Sequence, residues 1–177
     1  MPRVDLSGEC MKYHLLASLV AALAALVPIA AQALETPKGK VVLTIHGKHL
    51  EHPNVGDTAQ FDLEMLESLA GREASVDTPW IKERTTFSGP FLRAVLKAAG
   101  ATGESMRISA INDYSAEVPF EDAEMDTILA TRMNGKLMSV RDKGPMFLIY
   151  PFDRNRDLYN EKYFNRSVWQ IDEIEIK

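Results

Sequence analysis

Thr86-Phe87-Ser88-Gly89-Pro90-Phe91-Leu92-Arg93-Ala94-Val95-Leu96-Lys97-Ala98-Ala99-Gly100 is the stretch on which the fold class turns. Ser88-Gly89-Pro90 supplies a helix start, with Pro90 at the first helical position, where a missing N–H costs nothing. Phe91, Leu92, Val95, Leu96 and Ala99 then recur at helical spacing and form one inward stripe, and Gly100 supplies the stop. A firm helix among segments of β character, with no regular strand-helix-strand rhythm, predicts an α+β fold rather than a parallel α/β one.

Upstream of that helix, Val41 to Ile45 is β-branched and apolar and reads as a buried strand. Phe61 to Leu69 places Leu63, Leu66 and Leu69 on one helical stripe, stopped by Gly71. Downstream, Met106, Ile108 and Ala110 alternate with Arg107 and Ser109 as in a half-buried strand. Asp122 to Arg132 reads as a third helix ended by Asn134-Gly135, and Met146 to Tyr150 as a central strand. Trp169, Ile171, Ile174 and Ile176 alternate around a one-residue slip at Asp172-Glu173, which predicts a strand with a bulge.

The N-terminal segment has a different character. Leu15 to Ala30 is almost continuously apolar, and Ala31-Gln32-Ala33 has the small-x-small pattern of a signal-peptidase site. The run is short for a bilayer core of about 30 Å, and no cluster of positive charge follows it, so a cleaved export signal over residues 1–33 is preferred to a retained span. Met11 alone would give a well-proportioned signal, which makes residues 1–10 a candidate start-site extension. Residues 34–177 are then read as a single domain of the periplasm, large enough to bury roughly 68% of its unfolded surface.

The chain is 177 residues long, 46% hydrophobic and 25% charged, with 20 Lys and Arg against 25 Asp and Glu. Such a composition is that of a folded domain, and a net charge of -5 argues against a broad phosphate-gripping surface, hence against nucleic acid as partner. The sole cysteine, Cys10, falls within the segment read as removed, so no disulfide partner and no thiolate chemistry is expected in the mature protein.

Several chemistries lack their motifs: there is no G-x-G-x-x-G, no G-x-x-x-x-G-K-[ST], no H-E-x-x-H and no G-x-S-x-G. Asp153, Asn155 and Asp157 imitate the opening of a calcium loop, but Leu158 and Phe164 stand where glycine and the closing glutamate belong, so a solvated turn is expected. His46, His49 and His52 recur every three residues, yet their spacing straddles Gly47 and stops at Pro53, which favours an exposed loop over a metal site. More informative are Thr78-Pro79-Trp80, Asn112-Asp113-Tyr114, Arg141-Asp142-Lys143-Gly144-Pro145 and Arg166-Ser167-Val168-Trp169. Each sits at an edge or loop between apolar elements, where scaffolds place binding groups. The alternative reading of each is ordinary: core tryptophans, turn-capping Asn112 and Asp113, and a solvated basic run.

In order and spacing, Val41 to Ile45, Thr86-Phe87-Ser88-Gly89, Leu92 to Gly100, Asn112-Asp113-Tyr114, Met133-Asn134-Gly135, Lys143-Gly144-Pro145 and Arg166 to Trp169 resemble the domain that holds molybdopterin in sulfite oxidase and its bacterial relatives. The resemblance implies the α+β sulfite oxidase-type fold, with mixed sheets, short helices and a pterin cleft built from loops. The catalytic relatives carry a molybdenum-binding cysteine before the F-x-G motif, whereas Ser75 to Phe87 has none. They also carry a basic residue after G-x-P and a V-K-W near the end, where this chain reads Pro145-Met146-Phe147 and Val168-Trp169.

The resemblance is strongest to small exported pterin-binding regulators that lack the molybdenum-ligating cysteine. These act on the periplasmic domain of a membrane-bound enzyme that makes and degrades cyclic di-GMP. What it implies is a noncatalytic protein that binds a tetrahydropterin-like ligand without molybdenum and reports it to that partner. Its pterin-binding set would be Trp80, Asn112, Asp113, Tyr114, Arg84, Tyr150, Thr78 and Arg166. Trp80 would give a stacking face worth about 0.5 to 1.5 kcal/mol beyond its area. Asp113 would accept from the pterin amine and ring N–H, and Asn112 or Arg84 would donate to its carbonyl, at about 1.5 to 3 kcal/mol for each charge-assisted bond. Tyr114 and Tyr150 would line the remaining wall. Two alternatives stand beside this one: a molybdopterin-dependent oxidoreductase with an atypical metal ligand, and a bare interaction module with an unused cleft.

Overall fold

In the computed structural model, which describes residues 33–177, the chain lays down eleven strands and three short α-helices. In order they are β1 (Val41–Gly47), β2 (Ala59–Asp62), α1 (Leu63–Ser68), β3 (Gly71–Thr78), β4 (Ile81–Pro90), α2 (Leu92–Ala99), β5 (Ser105–Ala110), β6 (Ser115–Pro119), β7 (Ile128–Ala130), β8 (Arg132–Met133), β9 (Lys136–Leu137), β10 (Phe147–Ile149), α3 (Glu161–Arg166) and β11 (Ile171–Ile176). The segment read as an export signal lies outside the described residues except for Ala33.

Three sheets result. The largest has the order β2-β1-β11-β5-β6, with β1 and β11 parallel and the other pairs antiparallel. A second has the order β3-β4-β8-β9, and β10 pairs with β7 alone. Mixed sheets with segregated short helices make this an α+β fold. The core takes the inward residues of each strand, among them Leu43, Ile45, Phe61, Phe87, Ile108, Phe147 and Ile174, all fully buried.

The helix read from Phe91 to Gly100 is α2. Leu92, Val95, Leu96 and Ala99 are buried, and Gly100 closes the helix in the left-handed conformation at φ 63°. Its start differs from expectation: Pro90 ends β4 opposite Gly71, and Phe91 is the N-cap residue, without a side-chain cap. Just before Pro90, Gly89 lies so close to β7 that a Cβ there would overlap the Leu129 carbonyl. The glycine of the F-x-G motif is therefore a site of close backbone approach.

The expected bulge in the last strand is present, with the register shifting between Ile171 and Glu173 against β5. The expected helix over Asp122 to Arg132 is not. A 3₁₀ turn, Phe120–Met125, stops at Asp126 in the left-handed region, and β7 and β8 follow. Thr127 and the Ile128-Leu129-Ala130 run are buried on every side, and such a continuous apolar triplet suits a strand enclosed on both faces better than an amphipathic helix. Phe61 and Asp62 belong to β2 rather than to α1, and Asp62 instead caps that helix, accepting from the Met65 N–H at 2.9 Å. β10 is buried throughout but lies in a two-stranded sheet, not at the centre of a large one.

Candidate functional site

The β3–β4 hairpin carries Trp80 at its turn, between Thr78 and Ile81. The half-buried Trp80 ring meets Phe147 at 5.5 Å, Phe164 at 5.7 Å and Trp169 at 5.7 Å, all edge to face. Its indole thus belongs to an aromatic cluster drawn from β10, α3 and the approach to β11, the electrostatically preferred arrangement for such rings. On the Trp169 ring sits the ammonium of Lys143, with Nζ 4.2 Å from the centroid.

Beside this cluster opens a cleft of about 440 Å³ between the first half of β4, the β8–β9 turn and the 3₁₀ turn Val140–Asp142. Lys82, Arg84, Asn134, Arg141 and Lys143 contribute to its lining. Asn134 and Gly135 adopt consecutive left-handed conformations at φ 49° and 77°, the geometry of a two-residue hairpin turn. The Asn134 N–H donates to the Thr86 carbonyl at 2.7 Å, and its side-chain oxygen accepts from the Thr86 N–H at 3.1 Å, which stitches the turn to β4.

Arg84 turns part of its guanidinium back along β3, to the Asp77 carboxylate at 2.9 Å and the Ser75 carbonyl at 2.6 Å. Lys82, Arg141 and Lys143 form no ion pair among the described residues. Burial pushes the Lys143 ammonium below its ordinary range. Sequence reasoning singled out the Arg141-Asp142-Lys143 run but left these cations, and Lys82 and Asn134, out of the binding set. Four cations share the lining with two carboxylates, Glu83 and Asp142, and Arg84 is paired to Asp77, so the cleft of a chain of net charge -5 carries an excess of positive charge that the missing basic residues after G-x-P and in V-K-W did not foretell.

The other expected residues are distributed differently. Tyr150 is fully buried, and its hydroxyl donates to the Asp122 carboxylate at 2.7 Å. It therefore lines no wall, and burial, before the adjacent Asp122 charge, pushes its phenol well above the ordinary tyrosine range. Arg166 donates to the same Asp122 oxygen at 2.8 Å. These two residues meet each other at a buried carboxylate rather than at the cleft.

Asn112, Asp113 and Tyr114 form the exposed turn between β5 and β6. The Asn112 side chain accepts from the Tyr114 N–H at 3.3 Å, and Asp113 is left-handed at φ 66°. The Tyr114 hydroxyl reaches the Asn165 carbonyl at 3.0 Å. Asp172 lies near this turn; burial, then the charges of Glu173 and Asp113, push its carboxyl up. Thr78 is buried, and its hydroxyl has no hydrogen-bond partner in the protein.

The three histidines do not converge. His46 in β1 points Nε2 at Glu173 at 3.3 Å, while the His52 backbone N–H bonds the carbonyl of Ala99, the last residue of α2. Among the described residues no group of three or more His, Cys, Asp or Glu is placed to hold a metal ion. Asp153 is taken up by a two-pronged contact with Arg72, both bonds at 2.8 Å.

The donor set can be weighed against molybdopterin. The cations and the Asn134 amide of the lining suit the phosphate of an anionic heterocycle, while the aromatic surface of Trp80 and Trp169 stands beside the cleft rather than in its lining. Residues 33–177 contain no cysteine, so the thiolate that molybdenum favours has no counterpart in the cleft, whose one lining sulfur is the Met133 thioether.

Comparison with known proteins bears on most of the described region. The sulfane dehydrogenase SoxCD from Paracoccus pantotrophus shares the fold with a TM-score of 0.52 at 17% identity, over 76% of this chain and 37% of that one. The chain thus spans a little over a third of that protein. No curated protein sequence matches. Residues 58–176, from the start of β2 to the end of β11, match the oxidoreductase molybdopterin binding domain, and the chain belongs to that family.

Proposed function

We propose that the protein is a noncatalytic, exported pterin-binding protein that reports a reduced pterin to the periplasmic domain of a membrane-bound cyclic di-GMP synthase or phosphodiesterase. The observation that carries the reading is the make-up of the β3–β4 hairpin. The family resemblance puts the sulfur ligand of the catalytic relatives between Ser75 and Phe87, and here that span offers hydroxyls, carboxylates and an indole, with no thiol. A site so made can recognise the organic heterocycle through stacking and charge while lacking a handle for the metal. Further support comes from the aromatic cluster at Trp80 and Trp169, which adjoins the cationic cleft through Lys143.

The test has two readouts on protein purified after export by its own N-terminal segment. Mass spectrometry of released small molecules is expected to find a pterin, and calorimetry with tetrahydrobiopterin to give a dissociation constant of roughly micromolar or below. Elemental analysis is expected to find no molybdenum. Stoichiometric molybdenum would instead establish the oxidoreductase reading, which the family match keeps in view, and silence in both binding assays would leave the bare interaction module.

A further inference from the structure

Three residues with side chains adopt left-handed backbone around one corner of the molecule: Asp113 at φ 66°, Lys143 at φ 71° and Gln170 at φ 58°. That conformation costs free energy in any L-residue other than glycine, and it persists only where surrounding bonds over-determine it. At Gln170 those bonds can be named. Its N–H donates to the Lys143 carbonyl at 3.0 Å, and its side-chain amide donates to the Val140 carbonyl at 2.7 Å. Its own carbonyl accepts from the Ile111 N–H at 3.0 Å.

One residue therefore holds both ends of the Val140–Lys143 turn and ties it to the start of the β5–β6 turn. Inside, the turn is closed by the Asp142 and Gly144 N–H groups on the Ser139 carbonyl, at 2.9 and 2.8 Å. The preceding residue, Trp169, carries the Lys143 ammonium on its ring. Adjacent residues thus fix Lys143 twice, by backbone and by side chain, and Arg141 lies in the same turn. An unpaired lysine in an open cleft would otherwise sample many rotamers, and ordering it only when ligand arrives would weaken binding.

We propose that Gln170 is the positioning residue of the cleft: it pre-orders the Val140–Lys143 turn so that Arg141 and Lys143 are already in place before a ligand binds. Only the ligand readout of this proposal rests on the pterin reading.

Two variants of the full chain test it. Gln170→Ala removes the bond to Val140 and keeps the left-handed strain, while Gln170→Gly removes the same bond and relieves the strain. Amide hydrogen exchange over residues 139–146 is expected to be faster in both variants by about tenfold, the loss of one hydrogen bond. Thermal midpoint should fall in Gln170→Ala and recover in Gln170→Gly. Affinity for tetrahydrobiopterin should be about tenfold weaker in both.

A residue of merely structural importance would give affinity that follows the thermal midpoint and returns in Gln170→Gly, and that result overturns the proposal. So does unchanged exchange in Gln170→Gly. Wild-type protein that ignores tetrahydrobiopterin while the variants show the faster exchange sinks the pterin reading and upholds the clamp.

Discussion

Asp122 offers the sharpest quantitative test, because its carboxylate is almost fully buried yet holds only two partners, Tyr150 and Arg166, both on one oxygen. Among the described residues Arg166 is the one cation paired with it, and the side chains of the pair are 19% and 1% exposed. Replacing Arg166 by Met preserves the aliphatic stem and strands a buried negative charge, at a cost of about 3 to 5 kcal/mol. That is a large share of the roughly 5 to 15 kcal/mol that keeps a domain folded. Tyr150→Phe removes one hydrogen bond to a charged group and should cost less, about 1.5 to 3 kcal/mol. Asp122→Asn combined with Arg166→Met leaves no charge to strand, so its loss should fall well short of the sum of the single losses.

Urea unfolding followed by the fluorescence of Trp80 and Trp169 reads all of this. A loss below about 1 kcal/mol for Arg166→Met, or a double variant as destabilised as the sum of the single ones, would show that Arg166 neutralises nothing. The same experiment asks whether Arg166 touches ligand: if it serves only Asp122, saturating tetrahydrobiopterin should raise the midpoint of variant and wild type alike.

Three further outcomes are expected. Gly89→Ala should destabilise by about 2 to 4 kcal/mol in urea unfolding, since its Cβ would overlap the Leu129 carbonyl, and a near-neutral result would contradict the close approach of β4 and β7. Trp80→Ala should weaken tetrahydrobiopterin binding and also cost about 3 kcal/mol of stability, because three rings lose a partner, whereas Trp80→Phe should keep most of the fold; equal stability of the two would deny the aromatic cluster its packing role. Stability should also fall in acid: Asp62, through the Met65 and Gly39 N–H groups, and Glu67, Asp126 and Asp153, through Arg132, Arg93 and Arg72, are held below their usual range. Their contribution is full above about pH 4 and is lost as pH drops through the folded values, so a urea midpoint unchanged from pH 7 to pH 2.5 would refute it.

What could be read from the sequence was local. The stripe of α2, the alternation of β5 and the slip in β11 are written in consecutive residues, and each stands where periodicity put it. The misread helix at Asp122 to Arg132 shows the limit. Whether Ile128-Leu129-Ala130 forms part of a helix or an enclosed strand depends on β10 lying against it, and β10 is contributed by residues 147–149. Pro90 is a similar case: a proline before an apolar stripe signals a helix start, but strand pairing with Gly71, from nineteen residues away, holds it in β4. The ordered motifs identified the family because they mark turns and close approaches, such as Gly89 and Asn134-Gly135, which the fold cannot change without moving its strands.

The site was less legible because function there depends on which side chains remain uncommitted, and commitment is tertiary. Tyr150 and Arg166 look like ligand groups in sequence, yet Asp122, 28 and 44 residues away, occupies both. Arg84 is partly spent on Asp77 and the Ser75 carbonyl. Lys143 reads as one charge in a solvated run, but an indole face and the Gln170 N–H hold it in place, partly dehydrated and without an ion-pair partner among the described residues. A half-buried ammonium of that kind has a face left for an anionic group and no ion pair to break before meeting it. The physical case for a ligand therefore rests less on residues that resemble binding groups than on one ammonium that the fold positions and does not neutralise.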